Sequence, residues 1–484
     1  MIFFYRFDYS TLSSWDEAWY GSIAREILTR NDWITMHFNG VPFYDHPPMG
    51  FWIMAVFYKI FGISEFSTRL PSVLVGIGTS ILMYKMGEGF FGKKIIGFIA
   101  GLIVSTCVWY VIRVRSGNLD ALFLFFYVAT VYTAFLTKKT FKWFPICMIS
   151  FGALIMTKTL AGASASAIIL WFIFPYIFKS RWNMLYALLG IVAFTIIVVP
   201  WYHYHLSTNS SFYQYHFIHI GARDSKFTFS MLTHLQWELP LFYLHMGVRK
   251  WFYLWQLSSS IVCLSAIFHT IQGIRFFLQK KTFKQWPLVH AELGLIGWNV
   301  VILVPFLTTD LTQIWHLIPV YAPLALVVAY GIYMAMNWGI YLVKKIPLKP
   351  LSSLLNNQYV ITAIYIIPFF LIAYLQIKTF YYEVFPTSHY VVDEVDILKK
   401  TKKYNKMVYI DRDYLPIAVY YSEQVVKEQP RYGDDVATMQ NFIDQHNEGV
   451  LVIKNSAVDQ YMKTQPKVLV LDKNNSFSII REVK

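Results

Sequence analysis

Ten apolar runs divide the middle of the chain, near residues 68–87, 94–113, 119–137, 142–157, 161–178, 184–202, 251–274, 291–307, 314–336 and 357–378. Several reach the roughly 20 residues that a helix needs to cross a bilayer, which predicts a polytopic α-helical membrane protein. Ahead of them, residues 1–67 mix polar, aromatic and apolar positions. Ser14-Trp15-Asp16-Glu17 fits a capping box that opens a helix. Tyr20, Ile23, Ala24, Ile27 and Leu28 then share one helical face. ITMHF and VPFYD read as short extended pieces around Asn39-Gly40, a favoured hairpin turn. Pro47-Pro48 starts an amphipathic helix over MGFWIMAVFYKIFG, expected to lie at the interface.

The pattern changes near residue 379. MVYID, VLVIKN, VLVLD and FSIIREV read as strands, with a helical pattern in DDVATMQNFIDQH. The expected organisation is a first loop with interfacial helices (1–67), a transmembrane domain (68–378) with a long polar loop (203–250), and a small soluble α/β domain (379–484).

Composition agrees: 56% of residues are hydrophobic and 14% charged, against roughly a quarter charged in soluble domains. The net charge of +14 is a topology signal, because much of it sits in short loops. Lys85/Lys93/Lys94, Lys138/Lys139/Lys142, Lys179/Arg181, Arg275/Lys280/Lys281/Lys284 and Lys344/Lys345/Lys349 occupy alternate connections, and the positive-inside rule makes those cytoplasmic. No nucleic-acid partner is expected. The remaining connections and both chain ends fall on the far side. Cys107, Cys147 and Cys263 lie in separate apolar runs and form no disulfide framework. Only seven residues precede the first acid, with no cleavable signal apparent; the expectation is a chain that begins outside the membrane or lacks a first span.

The far side collects the candidate chemistry: Asp16, Glu17, Asp45, His46, Arg115, Asp120, Lys158, Asp310 and His316. Acids in a first helical turn, such as Asp16 and Glu17, are favoured by the helix dipole alone. Several carboxylates converging at a membrane boundary also suit general-base work or cation binding. In Arg113-Val114-Arg115-Ser116-Gly117-Asn118-Leu119-Asp120 the plain reading is an Asp120 helix cap beside an arginine; the functional one is an anion site for a phosphate. Lys158 suits a phosphate or simple snorkelling. His216 and His219, at i and i+3, can share a helical face, and one of them with Asp45 makes a reasonable divalent metal site. No GxxxxGK[ST], GxGxxG or GxSxG is present, so no nucleotide cofactor is expected.

These residues together resemble a family. DEAWYGSIAREILTRNDWITMHFNGVPFYDHPPMGFW and FGISEFSTRLPSVL are similar to the first outer loop of the ArnT-type and protein O-mannosyltransferase-type glycosyltransferases of the GT-C fold. RSGNLDALFLFF is similar to the second outer loop, LIMTK to the "L-T-K-G" segment, PWYHYH to the opening of the long loop, and TQIWHLIPVYAPLAL to the late motif. The similarity covers most of residues 14–335, with the motifs in the family's order.

The resemblance implies an inverting transferase of the bacterial inner membrane, with its active site and C-terminal domain periplasmic. It would take a sugar from undecaprenyl phosphate and pass it to lipid A or another envelope glycan or lipid, among membrane lipids. It makes Asp16 the essential acid, Asp120 the second-loop acid and Arg115 its basic neighbour. His46 falls where the family has a lysine facing the lipid phosphate, with Lys158 and His316 at pocket positions. Asp45 would be a metal ligand (zinc, or magnesium or manganese), with His216 or His219 as the second. Three departures stand out: His46 for lysine, Gln313 for lysine in the late motif, and no span before Asp16-Glu17. The rival readings are a protein O-glycosyltransferase of the same fold, a multi-span transporter, and an inactive lipid-binding relative.

Overall fold

The computed structural model describes residues 2–13, 16–221, 235–280, 286–307, 313–345, 354–385, 392–410, 415–429, 435–445, 448–463 and 468–482. The expected Ser14-Trp15 cap and Asp310 lie outside them. All ten apolar runs fall on helices. By their own length and apolarity, and among the described residues, five can cross a membrane: Glu65–Phe91, Arg181–Thr208, Trp251–Arg275, Ile314–Lys344 and Gln358–Thr379. A sixth forms if the bent pair Lys94–Val104 and Val108–Val114 counts as one span. The remaining four runs give shorter apolar helices, Asp120–Leu136, Phe141–Ile155, Ala161–Ile177 and Ala291–Leu307.

Helix α1 (Asp16–Arg30) leads to a hairpin of β1 (Met36–Phe38) and β2 (Val41–Phe43). The turn is Asn39-Gly40, both at positive φ (54° and 82°), the geometry for which Asn-Gly is selected. α2 (Met49–Phe61) starts after Pro48, as expected. α3 (Glu65–Phe91) and α4 (Lys94–Val104) then cross at Gly87 and Gly97. A Cβ on Gly87 would stand 2.6 Å from the Gly97 Cα, so only glycine lets the two backbones meet.

Between α4 and α5 (Val108–Val114) the chain bends by 73°. Ser105 and Thr106 cause the break by donating their hydroxyls back to the carbonyls of Gly101 (2.6 Å) and Leu102 (2.8 Å). Gln376, fully buried, closes over the break by donating to the Thr106 carbonyl. α6 (Asp120–Leu136), α7 (Phe144–Ile155), α8 (Thr159–Ala163), α9 (Ala165–Ile177) and α10 (Arg181–Thr208) follow. Then come α11 (Glu238–Val248), α12 (Trp251–Lys280), α13 (Trp286–Leu307), α14 (Tyr321–Lys344) and α15 (Gln358–Thr379). α10 and α15 turn large apolar side chains outward, among them Leu188, Ile196, Phe370 and Leu371, as lipid-facing helices do.

The C-terminal domain is a five-stranded mixed sheet in the order β4-β3-β5-β7-β6, with β3 (Met407–Ile410), β4 (Val426–Glu428), β5 (Gly449–Lys454), β6 (Val468–Lys473) and β7 (Phe477–Glu482). The four strands read from the sequence are present; β4, three residues long, carries too little pattern to be seen there. Strand alternation decides the two faces. Tyr409, Leu451, Ile453 and Ile480 pack on α18 (Asp435–Asp444) and α19 (Asn455–Met462). Val408, Ile410, Val450, Val452 and Ile479 face α16 (Val392–Thr401), α17 (Leu415–Ser422) and, in the same core, α1 and α2. The C-terminal domain is therefore built onto the first loop.

Candidate active site

The adjacent acids of the first loop separate on folding. Glu17 turns inward: its carboxylate accepts from Arg69 Nε (2.7 Å) and Nη2 (3.0 Å), and from the backbone N–H groups of Ser13 (2.8 Å) and Gly117 (2.9 Å). Burial pushes Glu17 upward in pKa, but Arg69 and these donors outweigh it and hold the group below its usual range. Arg69 also donates to the carbonyls of Phe7, Ser10 and Thr11. This one pair joins the N-terminal segment, α1, α3 and the loop before α6.

Asp16 turns the other way and receives Nη1 of Arg113. The same guanidinium places Nε 3.3 Å from Oδ2 of Asp120. Lys158 donates its ammonium to Oδ1 of Asp120. The four side chains form an alternating row, Asp16–Arg113–Asp120–Lys158, drawn from α1, α5, α6 and the start of α8. Arg113 lies between two indoles, its Cζ 5.5 Å from the Trp109 ring centre and 5.1 Å from that of Trp315. Within the row Asp16 is the accessible carboxylate, its side chain 31% exposed against 6% for Asp120. Asp120 is the first residue of α6 rather than its cap, and its N–H donates to Oδ1 of Asn118 at 2.8 Å.

The arginine expected here, Arg115, belongs elsewhere. Its guanidinium donates to the carbonyls of Ile2 (3.2 Å), Tyr5 and Val384 (3.1 Å) and lies over the Phe385 ring. The reason is helical geometry: Trp109 and Arg113 are i and i+4 and share a face, while two further residues carry Arg115 round to the opposite side. That i,i+4 Trp–Arg spacing was the signal for Arg113.

Around the row, His46 stands near Lys158, Asp120, His216 and His316. Burial, reinforced by Lys158, lowers its pKa to about 3, so its imidazole is neutral at ordinary pH. The Tyr20 ring centre lies 6.0 Å from that of His46, and burial, with Asp16 and Asp120 adding to it, raises the phenol well above its usual value. His316 accepts the Gln313 N–H on Nδ1 (3.0 Å) and stacks on Phe306.

Asp45, Tyr215 and His219 line a separate cavity of ≈ 580 Å³ with Tyr44 and Gln214. Asp45 accepts from the Tyr215 hydroxyl at 2.7 Å, and burial raises its pKa. His216 instead stacks on Phe212 and gives Nδ1 to the Tyr44 carbonyl. Among the described residues no three His, Cys, Asp or Glu side chains gather as a metal ion would need. The set Asp45, His216 and His219 does not close into such a donor group, and no chemical step below uses a metal.

Comparisons with known proteins bear on the same segments. The family model for dolichyl-phosphate-mannose-protein mannosyltransferase matches residues 45–203. The undecaprenyl phosphate-alpha-4-amino-4-deoxy-L-arabinose arabinosyl transferase of Enterobacter sp. (strain 638) is 24% identical over 328 residues, 65% of this chain and 54% of that protein. Its counterpart in Shewanella sediminis (strain HAW-EB3) is 24% identical over 347 residues, 66% of this chain and 56% of that protein. The chain thus spans about half the length of these curated relatives. In fold it is similar to ArnT from Cupriavidus metallidurans bound to undecaprenyl phosphate, with a TM-score of 0.68, 16% identity, and coverage of 99% of this chain and 95% of that one. With the matching helices and C-terminal sheet in view, the chain is a multi-pass membrane protein of the GT-C fold, similar to the ArnT-type and protein-mannosyltransferase-type glycosyltransferases.

Proposed function

We propose that this protein transfers a sugar from a polyprenyl phosphate to an acceptor at the periplasmic face of a bacterial inner membrane, with lipid A or another envelope glycan or lipid as the acceptor. The observation that carries the reading is the Asp16–Arg113–Asp120–Lys158 row, with its one accessible carboxylate at the end away from the ammonium. The sugar C1–O bond breaks toward the phosphate, which leaves with the electron pair. The acceptor oxygen attacks C1 from the opposite face, inverting it. Lys158 and the neutral His46 donate to the departing phosphate as its charge grows. Asp16 takes the proton from a hydroxyl acceptor. An acceptor that is already a phosphate anion brings no proton, and Asp16 then orients the attacking group. Arg113 keeps Asp16 and Asp120 in register.

A second reading has its own support: the family model over residues 45–203 is named for protein mannosyltransferases, which makes a protein hydroxyl the alternative acceptor. One experiment tests both. Purified full-length protein in detergent receives radiolabelled undecaprenyl-phosphate sugars and total envelope acceptors, beside a folded Asp16→Asn protein. Label entering lipid with the wild type alone supports the first reading, and label entering protein supports the second. No transfer from any donor, with polyprenyl phosphate still bound, overturns the transferase reading.

A further inference from the structure

Among the contacts that join the C-terminal domain to the loop that carries the chemistry, two are polar and made by residues of α1 and the hairpin: those of Arg25 and Asn39. Arg25 is 5% exposed and donates Nη1 to the carbonyls of Val419 (3.0 Å) and Tyr420 (2.8 Å), in the last turn of α17. A guanidinium there satisfies carbonyls that the helix leaves unpaired and opposes the negative end of its dipole. Asn39, at the hairpin turn, exchanges two hydrogen bonds with Val426 of edge strand β4, its Nδ2 donating to the carbonyl and its Oδ1 accepting from the N–H, both at 2.8 Å. The amide thus completes the open edge as a strand residue would. Glu26 ties the two anchors together, accepting from Gly40 N–H (3.1 Å) and Arg30 Nε (3.1 Å). α1 also lies tightly on α17: a Cβ on Gly21 would stand 2.9 Å from the Tyr420 ring.

We infer that the C-terminal domain is a positioning element of the active site, with Arg25 and Asn39 as its positioning residues. The inference rests on the transferase reading above. Asp16 lies nine residues before Arg25 on one helix, about 13 Å away at the 1.5 Å helical rise. Asp45 and His46 directly follow the hairpin that Asn39 holds. A tilt of α1 about Arg25 of only about 4° moves Asp16 by about 1 Å, a misplacement that costs on the order of 100-fold in rate.

The test uses the full chain in detergent. Asn39→Gly keeps the positive-φ turn and deletes the amide; Arg25→Met deletes the cap, and Arg25→Lys keeps a charge and a donor. In variants whose thermal midpoint stays within about 3 °C of wild type, kcat should fall at least about tenfold, with KM for the lipid donor within about threefold and partial recovery in Arg25→Lys. An unchanged kcat in folded Asn39→Gly and Arg25→Met overturns the inference. A second readout needs no activity: spin labels at Val41→Cys on the hairpin and Ser207→Cys on α10, with the exposed Cys263 replaced by serine. The distance distribution should shift or broaden in Asn39→Gly and Arg25→Met; an unchanged distribution overturns the inference. If the wild type transfers nothing, the transferase reading fails by itself and the label distances still decide the positioning.

Discussion

Glu17 and Arg69 hold each other through two parallel hydrogen bonds, Nε to Oε1 at 2.7 Å and Nη2 to Oε2 at 3.0 Å, with both side chains almost fully buried. The pair links α1 to α3 one residue away from Asp16, so the neighbouring acid anchors the loop while Asp16 stays accessible. Arg69→Met leaves a buried carboxylate without its partner and should destabilise by about 3–5 kcal/mol, read as a lowered thermal midpoint in detergent. Glu17 also sets a pH dependence. Its folded pKa lies below the ordinary 4.5, so its contribution is present above that value and is lost as pH falls through the folded one. Thermal midpoints between pH 7 and 4 should be level at first and drop below about 4.5; in a folded Glu17→Gln protein that drop should be smaller.

Arg113 and Arg115, two residues apart, should respond differently to the same change. Arg113→Gln removes the bridge between Asp16 and the buried Asp120; it should lower the thermal midpoint and, in the folded fraction, lower transfer by about 100-fold or more. Arg115→Gln releases the carbonyls of Ile2, Tyr5 and Val384 and should lower the midpoint, with kcat of the folded fraction within about threefold. Equal kcat losses in both would remove Arg113 from the proposed site.

Loss of the accessible carboxylate should separate chemistry from binding. Asp16→Asn should cut transfer to a hydroxyl acceptor by about 100- to 10,000-fold and leave undecaprenyl phosphate binding within about threefold. A near-normal rate with Asp16→Asn points to a phosphate acceptor, or to another base.

In the proposed site His46 is a neutral donor beside Lys158. With its pKa lowered to about 3, the imidazole of the free protein carries no proton charge between pH 6 and 8. Over that range, undecaprenyl phosphate affinity should vary by less than about threefold on account of this residue. His46→Lys exchanges a neutral hydrogen bond for a charge-assisted one and should tighten the lipid phosphate by about tenfold, measured by binding in detergent.

Away from the site, Glu292 of α13 is fully buried and accepts from Ser265 (2.8 Å), Tyr330 (2.6 Å) and His269 (3.1 Å). The carboxylate joins α12, α13 and α14. Glu292→Ala strands three donors and should lower the thermal midpoint strongly, at about 1–3 kcal/mol per stranded group, with Glu292→Gln milder. Neither change should shift KM for the lipid donor.

Much of this protein was legible before folding is considered. Apolar periodicity located the helices, Asn39-Gly40 the hairpin, and alternation four of the five C-terminal strands, because these patterns depend on neighbours within a few residues. The residue types of the site were legible too: Asp16, Asp120 and Lys158 were singled out as candidates, and they meet in one row. Their pairing was not. Arg113 rather than Arg115 joins the row because α5 ends with the Trp109 face turned inward, a rotation set by the 73° break and its packing. Glu17 finds Arg69 and Asp120 finds Lys158 across intervening helices, and Asn39 finds Val426 across almost the whole chain. A charge or amide carries no local record of its partner, since contacts so far apart in sequence form only when whole elements pack. Local pattern therefore determined the parts and their chemistry, while tertiary packing decided which carboxylate stays accessible and which becomes an anchor.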